Sequence, residues 1–138
     1  MRIEPGPWSE VGEVSLGTDG KLLMPDPGRV PGIYRFLLTG GDTPTVYIGE
    51  GEDVSRRFGQ YRNPERSQRT NVRLNARLKV HIEAGGAAQV AVVTEAVLIV
   101  AEYHEPLDLG RRTSRLLVEG HLLDLAREAG TATVENVS

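Results

Sequence analysis

At 138 residues, with 39% hydrophobic and 25% charged residues, the chain has the make-up of an ordinary globular protein with one core. It contains no cysteine, which excludes disulfide frameworks and thiolate-held zinc. A net charge of −3 and a pI of about 5.6 argue against a chain built only to coat nucleic acid.

The first residues, Met1 to Gly6, lack the apolar run of a signal peptide. The longest apolar stretch, Val90 to Ala101, is broken by Thr94-Glu95 and is too short to span a bilayer. A cytoplasmic protein with no membrane partner is expected. Val11 to Leu16 and Lys21 to Met24 flank Gly17-Thr18-Asp19-Gly20, a hairpin signal. Trp8 is expected to plug a core. Residues 1–31 therefore read as a β extension of the domain that follows, 32–138. Ile33 to Thr39 and Thr45 to Gly49 predict an antiparallel hairpin around a Gly-Gly-Asp-Thr-Pro turn. Tyr34 and Tyr47 share a sheet face if directly opposite or offset by two, and a one-residue slip separates them.

Asp53 can cap a short helix from Val54 to Tyr61, with Arg57 and Tyr61 one turn apart on one face. A second helix is predicted from Val72 to Glu83. Asn71 would be its cap, Leu74, Leu78 and Ile82 its buried stripe, and Arg73 and Arg77 a separate stripe. Gln89 to Thr94 reads as a buried strand, and Val97 to Tyr103 as either its hairpin partner or an early helix. Thr113 to Ala129 forms the last helix, stopped by Gly130. Its apolar rows are Val118, Leu122, Leu125, Ala129 and Leu116, Leu123, Ala126. The tail from Thr131 fits a terminal strand or coil.

Charge is unevenly spread. Arg56, Arg57, Arg62, Arg66, Arg69, Arg73, Arg77 and Lys79 are eight of the 16 basic residues, and only Glu65 is acidic in that stretch. Such runs are usually solvated helical faces. Here the arginine content, suited to bidentate phosphate contacts, favours a footprint for nucleic acid. Glu119 lies three after Leu116 and four before Leu123, inside an apolar row where a charge needs a partner. A divalent cation would serve; the plainer readings are an ion pair with an arginine or a glutamate at the edge of the row, and helix position alone favours these. His81, His104 and His121 do not have the short spacing of a local metal site.

Gly32-Ile33-Tyr34 and Tyr47-Ile48-Gly49 stand in order on two candidate strands, their tyrosines thirteen positions apart. Arg57 follows ten beyond Tyr47, and Tyr61 four beyond Arg57. In these features the chain resembles the GIY-YIG nuclease family, over roughly Gly32 to Asn136. The resemblance implies an α/β (α+β) fold, with a small central antiparallel sheet flanked by helices. It implies a metal-dependent endonuclease acting on nucleic acid, with DNA the expected substrate and Mg2+ or Mn2+ the cofactor. Tyr34 or Tyr47 would be the general base, a role that needs a cation to lower a phenol pKa of about 10. Arg57 would hold the scissile phosphate, and Tyr61 would position or protonate one of its oxygens. Glu119 would bind the metal, Asn136 is the candidate for a late asparagine, and Gly49 completes the second motif. The separation of Arg57 from Glu119 is long for the family and implies an insertion between Ala96 and Leu109, so Glu95 and Glu102 are rival ligands. Gly51 stands where many members carry a small hydroxyl residue. A chain of this length is expected to act free-standing, without a second recognition domain. The alternative readings are a nucleic-acid-binding module that has lost cleavage, and an interaction domain whose arginine face meets an acidic partner.

Overall fold

The computed structural model describes residues 1–137. In chain order the elements are β1 (Arg2–Pro5), β2 (Ser9–Glu13), β3 (Ser15–Leu16), β4 (Leu22–Leu23), β5 (Gly32–Thr39), β6 (Thr45–Gly51), α1 (Val54–Arg62), α2 (Arg69–Glu83), β7 (Ala87–Val93), β8 (Ala96–Val100), β9 (Tyr103–Pro106), α3 (Arg112–Ala129) and β10 (Thr133–Asn136). A five-stranded sheet runs in the order β10-β6-β5-β7-β2, a three-stranded sheet in the order β1-β8-β9, and β3 pairs with β4. All pairings are antiparallel except β10 with β6. This is the expected mixed α+β architecture.

The five-stranded sheet is covered on both faces because its central strands alternate apolar residues to either side. Tyr34, Phe36, Leu38 and Tyr47 pack with Val54, Phe58, Tyr61, Leu74 and Leu78 of α1 and α2. Ile33, Val46, Ile48 and Val93 pack with Val118, Leu122 and Leu123 of α3. The hairpin register is offset by two: Tyr34 lies opposite Gly49, and Tyr47 opposite Phe36. The two motif tyrosines therefore share the α1/α2 face. Among the described residues no helix is long and apolar enough to cross a membrane.

Several local expectations hold. Asp53 caps α1 by accepting from the Arg56 backbone N–H, and that bond lowers its pKa. Gly130 ends α3 in the left-handed conformation at φ 66°, which lacks a Cβ penalty only for glycine. Others need correction. The second helix starts at Arg69, and Asn71 is not its cap. Asn71 is buried within the first turn and donates to the Gln68 side chain at 2.7 Å. β8 is a strand, but it does not pair with β7. Its partners are β1 and β9, while β7 takes β2 and β5. The N-terminal segment occupies the edges that a β7–β8 hairpin would have used, with Gly6 N–H bonded to the Glu95 carbonyl at the crossing. In α3 the apolar rows are displaced: Leu116, Leu117 and Leu125 are exposed, and the buried face is Ser114, Arg115, Val118, Glu119, Leu122 and Leu123.

Candidate functional site

Tyr34, Arg57 and Tyr61 meet on the α1 side of the sheet. β5 aims Tyr34 across Gly49, the residue opposite it, and this needs a glycine. A Cβ there would stand 2.6 Å from Tyr34 Cζ and 2.9 Å from Cε2. The ring is held edge-on by Phe36, Phe58 and Tyr61, with centroids 5.8, 5.4 and 5.9 Å away. Arg57, one helical turn before Tyr61, lays its guanidinium over the Tyr61 ring at 4.5 Å.

The polar atoms form a directed chain. Arg57 Nε donates to the Tyr34 hydroxyl at 3.3 Å. The Tyr34 and Tyr61 hydroxyls are hydrogen-bonded to each other, and Tyr61 donates to the Val137 carbonyl at 3.1 Å. With the Tyr61 proton on Val137, Tyr34 is left as donor to Tyr61. Arg57 also donates to Gln60 Oε1 at 2.8 Å and to the Val137 carbonyl at 3.3 Å. Burial, and then the neighbouring Tyr61, push the Tyr34 phenol well above its ordinary pKa, with Arg57 opposing. Burial likewise raises Tyr61. For Arg57 burial works against the charge, but the two phenol oxygens outweigh it and its pKa is raised.

Glu119 is buried on α3, and Asn136 Nδ2 donates to its Oε1 at 3.1 Å. Asn136 is followed by Val137, whose carbonyl receives Tyr61 and Arg57, so the chain end links the α3 carboxylate to the α1 group. Glu119 is close enough to raise the Tyr61 pKa further, as a smaller cause than burial. The arginine on this face of α3, Arg115, instead donates to Glu50 Oε2 at 2.6 Å and to the Leu109 and Gly110 carbonyls. Glu95 and Glu102 are exposed. Among the described residues neither makes a side-chain hydrogen bond to the Tyr34–Arg57–Tyr61 group. Nor do any three His, Cys, Asp or Glu residues cluster so as to hold a metal.

Tyr47 stands apart from this chain. Its hydroxyl accepts from Arg77 at 3.0 Å, and Arg77 also pairs with Glu135. The basic stretch is divided in the same way. Arg56, Arg66, Arg69 and Arg73 are exposed, Lys79 is half-buried, and Arg62 donates to the Leu22 carbonyl. Beside Arg57 a cleft of about 510 Å³ is lined by Arg29, Arg56, Arg57, Gln60, Gly51, Glu52 and Asp53. Arg29 comes from the N-terminal extension and is tied by its Nε to Asp53 at 3.2 Å. Sequence reasoning missed Arg29, Gln60, Glu50 and the Val137 carbonyl. Gln60 was legible as the residue three after Arg57, whereas a backbone carbonyl has no sequence signature.

Fold and site together define a three-layer α+β domain with a buried Tyr–Tyr–Arg hydrogen-bond chain beside an arginine-lined cleft. No protein-family model matches the chain, and no curated protein matches it. Its fold is similar to the solved structure of a glutamate-to-alanine mutant of EndoII from bacteriophage T4, with a TM-score of 0.62 and 14% identity. The likeness covers 87% of this chain and 88% of the phage chain. At that identity it is a likeness of fold.

Proposed function

We propose that this protein is a metal-dependent nuclease that hydrolyses phosphodiester bonds in nucleic acid, with DNA the first substrate to test. The observation that carries the reading is the Arg57–Tyr34–Tyr61 chain beside the arginine-lined cleft, joined through Val137 and Asn136 to the carboxylate of Glu119. The likeness in fold to a phage endonuclease, EndoII, supports it.

The donors suit Mg2+ or Mn2+. These hard ions bind through one or two carboxylates plus substrate phosphate and keep several waters, so a single buried glutamate oxygen with an amide beside it is an adequate protein share. Glu119 would hold the ion, and Asn136 would fix the carboxylate's orientation. When bound, the ion would stabilise charge on the scissile phosphate and the leaving oxygen and lower the pKa of neighbouring phenols.

Arg57 binds the phosphate. Among the described residues three of its five N–H groups are used, which leaves two to offer phosphate oxygens. Tyr34 is the tyrosine assigned to the attacking water. It is the one bonded to Arg57; burial still holds its pKa well above the ordinary phenol value, so a bound cation would have to supply the lowering that a base needs. Tyr61 donates its own O–H to a backbone carbonyl and so does not occupy a lone pair of Tyr34. Tyr47 holds Arg77 in place rather than meeting the reacting atoms. Arg56, Arg66, Arg69 and Arg73, with Arg62, Arg77 and Lys79 at their flanks, contact the nucleic-acid backbone.

Nicking of supercoiled plasmid by purified protein tests the reading, with Mg2+ and with chelator. Glu119→Gln keeps an oxygen to accept from Asn136, so it should retain the fold and binding while losing cleavage. Near-wild-type turnover by the folded variant would pass the metal role to Glu95 or Glu102. Salt-sensitive binding by the wild type with no cleavage under any divalent ion would favour the binding-module reading.

A further inference from the structure

The sheet face opposite Tyr34 carries a second cavity, of about 390 Å³, between β5, β6 and the C-terminal half of α3. That volume falls within the range of small-molecule sites, about 300–1,000 Å³. Its walls are apolar, from Leu37, Val46, Ile48, Leu122 and Ala126, and Trp8 of the N-terminal extension closes one side. Arg35 is the only charged residue among those lining it.

Arg35 is incompletely compensated there. Its guanidinium lies 4.6 Å over the Trp8 ring. Its one acidic neighbour, Glu10, is 3.6 Å from the NH2 group and mostly exposed. The Nε–H is buried and has no acceptor among the described residues. A buried donor without an acceptor is costly, and one belonging to a cation more so. Burial lowers the Arg35 pKa, and Glu10 offsets this only in part. A core plug would not need a cation facing an apolar cavity, whereas a site for an anion with an apolar body would.

We propose that this cavity binds a small organic monocarboxylate, its charge met by the Arg35 guanidinium at the cavity wall and its hydrocarbon body lying against Ile48, Leu122 and Ala126. The site lies across the sheet from the Tyr34 group, and its occupancy does not rest on the nuclease reading. Trp8 is the only tryptophan in the chain, so its emission reports on this cavity alone.

The test is titration of the whole protein with octanoate and with octan-1-ol, followed by Trp8 fluorescence. Octanoate should give a saturable change and bind about tenfold or more tightly than the alcohol, the margin expected of a hydrogen bond between charged groups. Arg35→Met should erase that preference, and Ala126→Phe, which fills the cavity, should abolish binding of both. Wild-type circular dichroism and melting in each variant confirm the fold. The proposal is overturned by no saturable change up to millimolar octanoate, by equal affinity for octanol, or by binding unaffected in Ala126→Phe.

Discussion

Gly49→Ala tests whether the second motif's glycine exists to let Tyr34 through. The added methyl carbon would stand 2.6 Å from Tyr34 Cζ, against an ordinary contact beginning at 3.4 Å, so the ring must move by about 0.8 Å. Tyr34 has no slack for this. It is fully buried, and three aromatic rings hold it edge-on. Its bond from Arg57 is already 3.3 Å long, and a shift of that size ends it. Overpacking costs about 1–3 kcal/mol, and the lost hydrogen bond adds about 1 kcal/mol, which gives about 2–4 kcal/mol together. Gly59→Ala supplies the matched control. Gly59 is exposed within α1 with nothing within 4 Å of a Cβ, so alanine there should stabilise by about 0.5–1 kcal/mol through helix propensity. Urea unfolding should therefore move the two variants in opposite directions. Under the nuclease reading Gly49→Ala should also lose about 10²-fold in cleavage rate, the scale of a misplacement near 1 Å. A Gly49→Ala protein as stable as the wild type, with cleavage unchanged, would refute the claim that this close approach organises the site.

Under the nuclease reading, Arg57→Ala should cost about 10²–10³ in single-turnover rate with little loss of binding, because Arg57 would meet charge that grows in the transition state. Arg73→Ala, at an exposed position on α2, should mainly raise the dissociation constant. Cleavage at saturating protein and binding measured in calcium separate the two. Equal proportional losses would end the assignment of Arg57. Raised phenol pKa values make stability sensitive to alkali. The contribution of Tyr34 is fully present below the unfolded phenol value of about 10 and is lost as pH rises through the higher folded value. Denaturant unfolding above pH 10 should thus show a downward slope that Tyr34→Phe flattens, and an unchanged slope would contradict it. Arg115→Leu leaves Glu50, 12% exposed, without its partner and should cost about 2–4 kcal/mol in urea, toward the buried-pair end of the range. Arg2→Leu breaks only the exposed pair with Glu4 and should cost about 0–1 kcal/mol in the same assay.

The parts legible in the sequence were those fixed by local chemistry. Asp53 announced its helix by hydrogen-bonding its own first turn, and Gly130 announced a helix end. The i, i+4 spacing of Arg57 and Tyr61 placed both on the face that reaches Tyr34. Pairing between distant segments was not legible. The alternation of β8 is satisfied equally by any neighbour offering a free edge, and β1, ninety-odd residues earlier, takes it. Glu119 was found for a reason that only half holds. Leu116, one end of the apolar row that singled it out, is exposed, yet Glu119 is buried because α3 presses its neighbours Val118, Leu122 and Leu123 on the sheet. Periodicity located the buried face to within one residue's rotation of the helix, and that sufficed for Glu119 but not for Leu125.

The last strand shows how groups on two faces of the sheet come to be hydrogen-bonded to one segment. Alternate residues of a strand point to opposite sides, and β10 lies parallel against β6 beside the second motif. Val134 packs on the α3 side, and Asn136 reaches Glu119 there. Glu135 pairs with Arg77 of α2 on the other side, and the Val137 side chain joins the core around Tyr34. The backbone between them then offers the Val137 carbonyl to Tyr61 and Arg57. Among the described residues no side-chain hydrogen bond joins α1 directly to α3, and the stretch from Asn136 to Val137 is hydrogen-bonded to both. The end of this strand and the residue after it thereby tie the α3 carboxylate to the tyrosine–arginine chain, through the Asn136 amide and the Val137 carbonyl, so the candidate site's geometry depends on a segment outside both motifs.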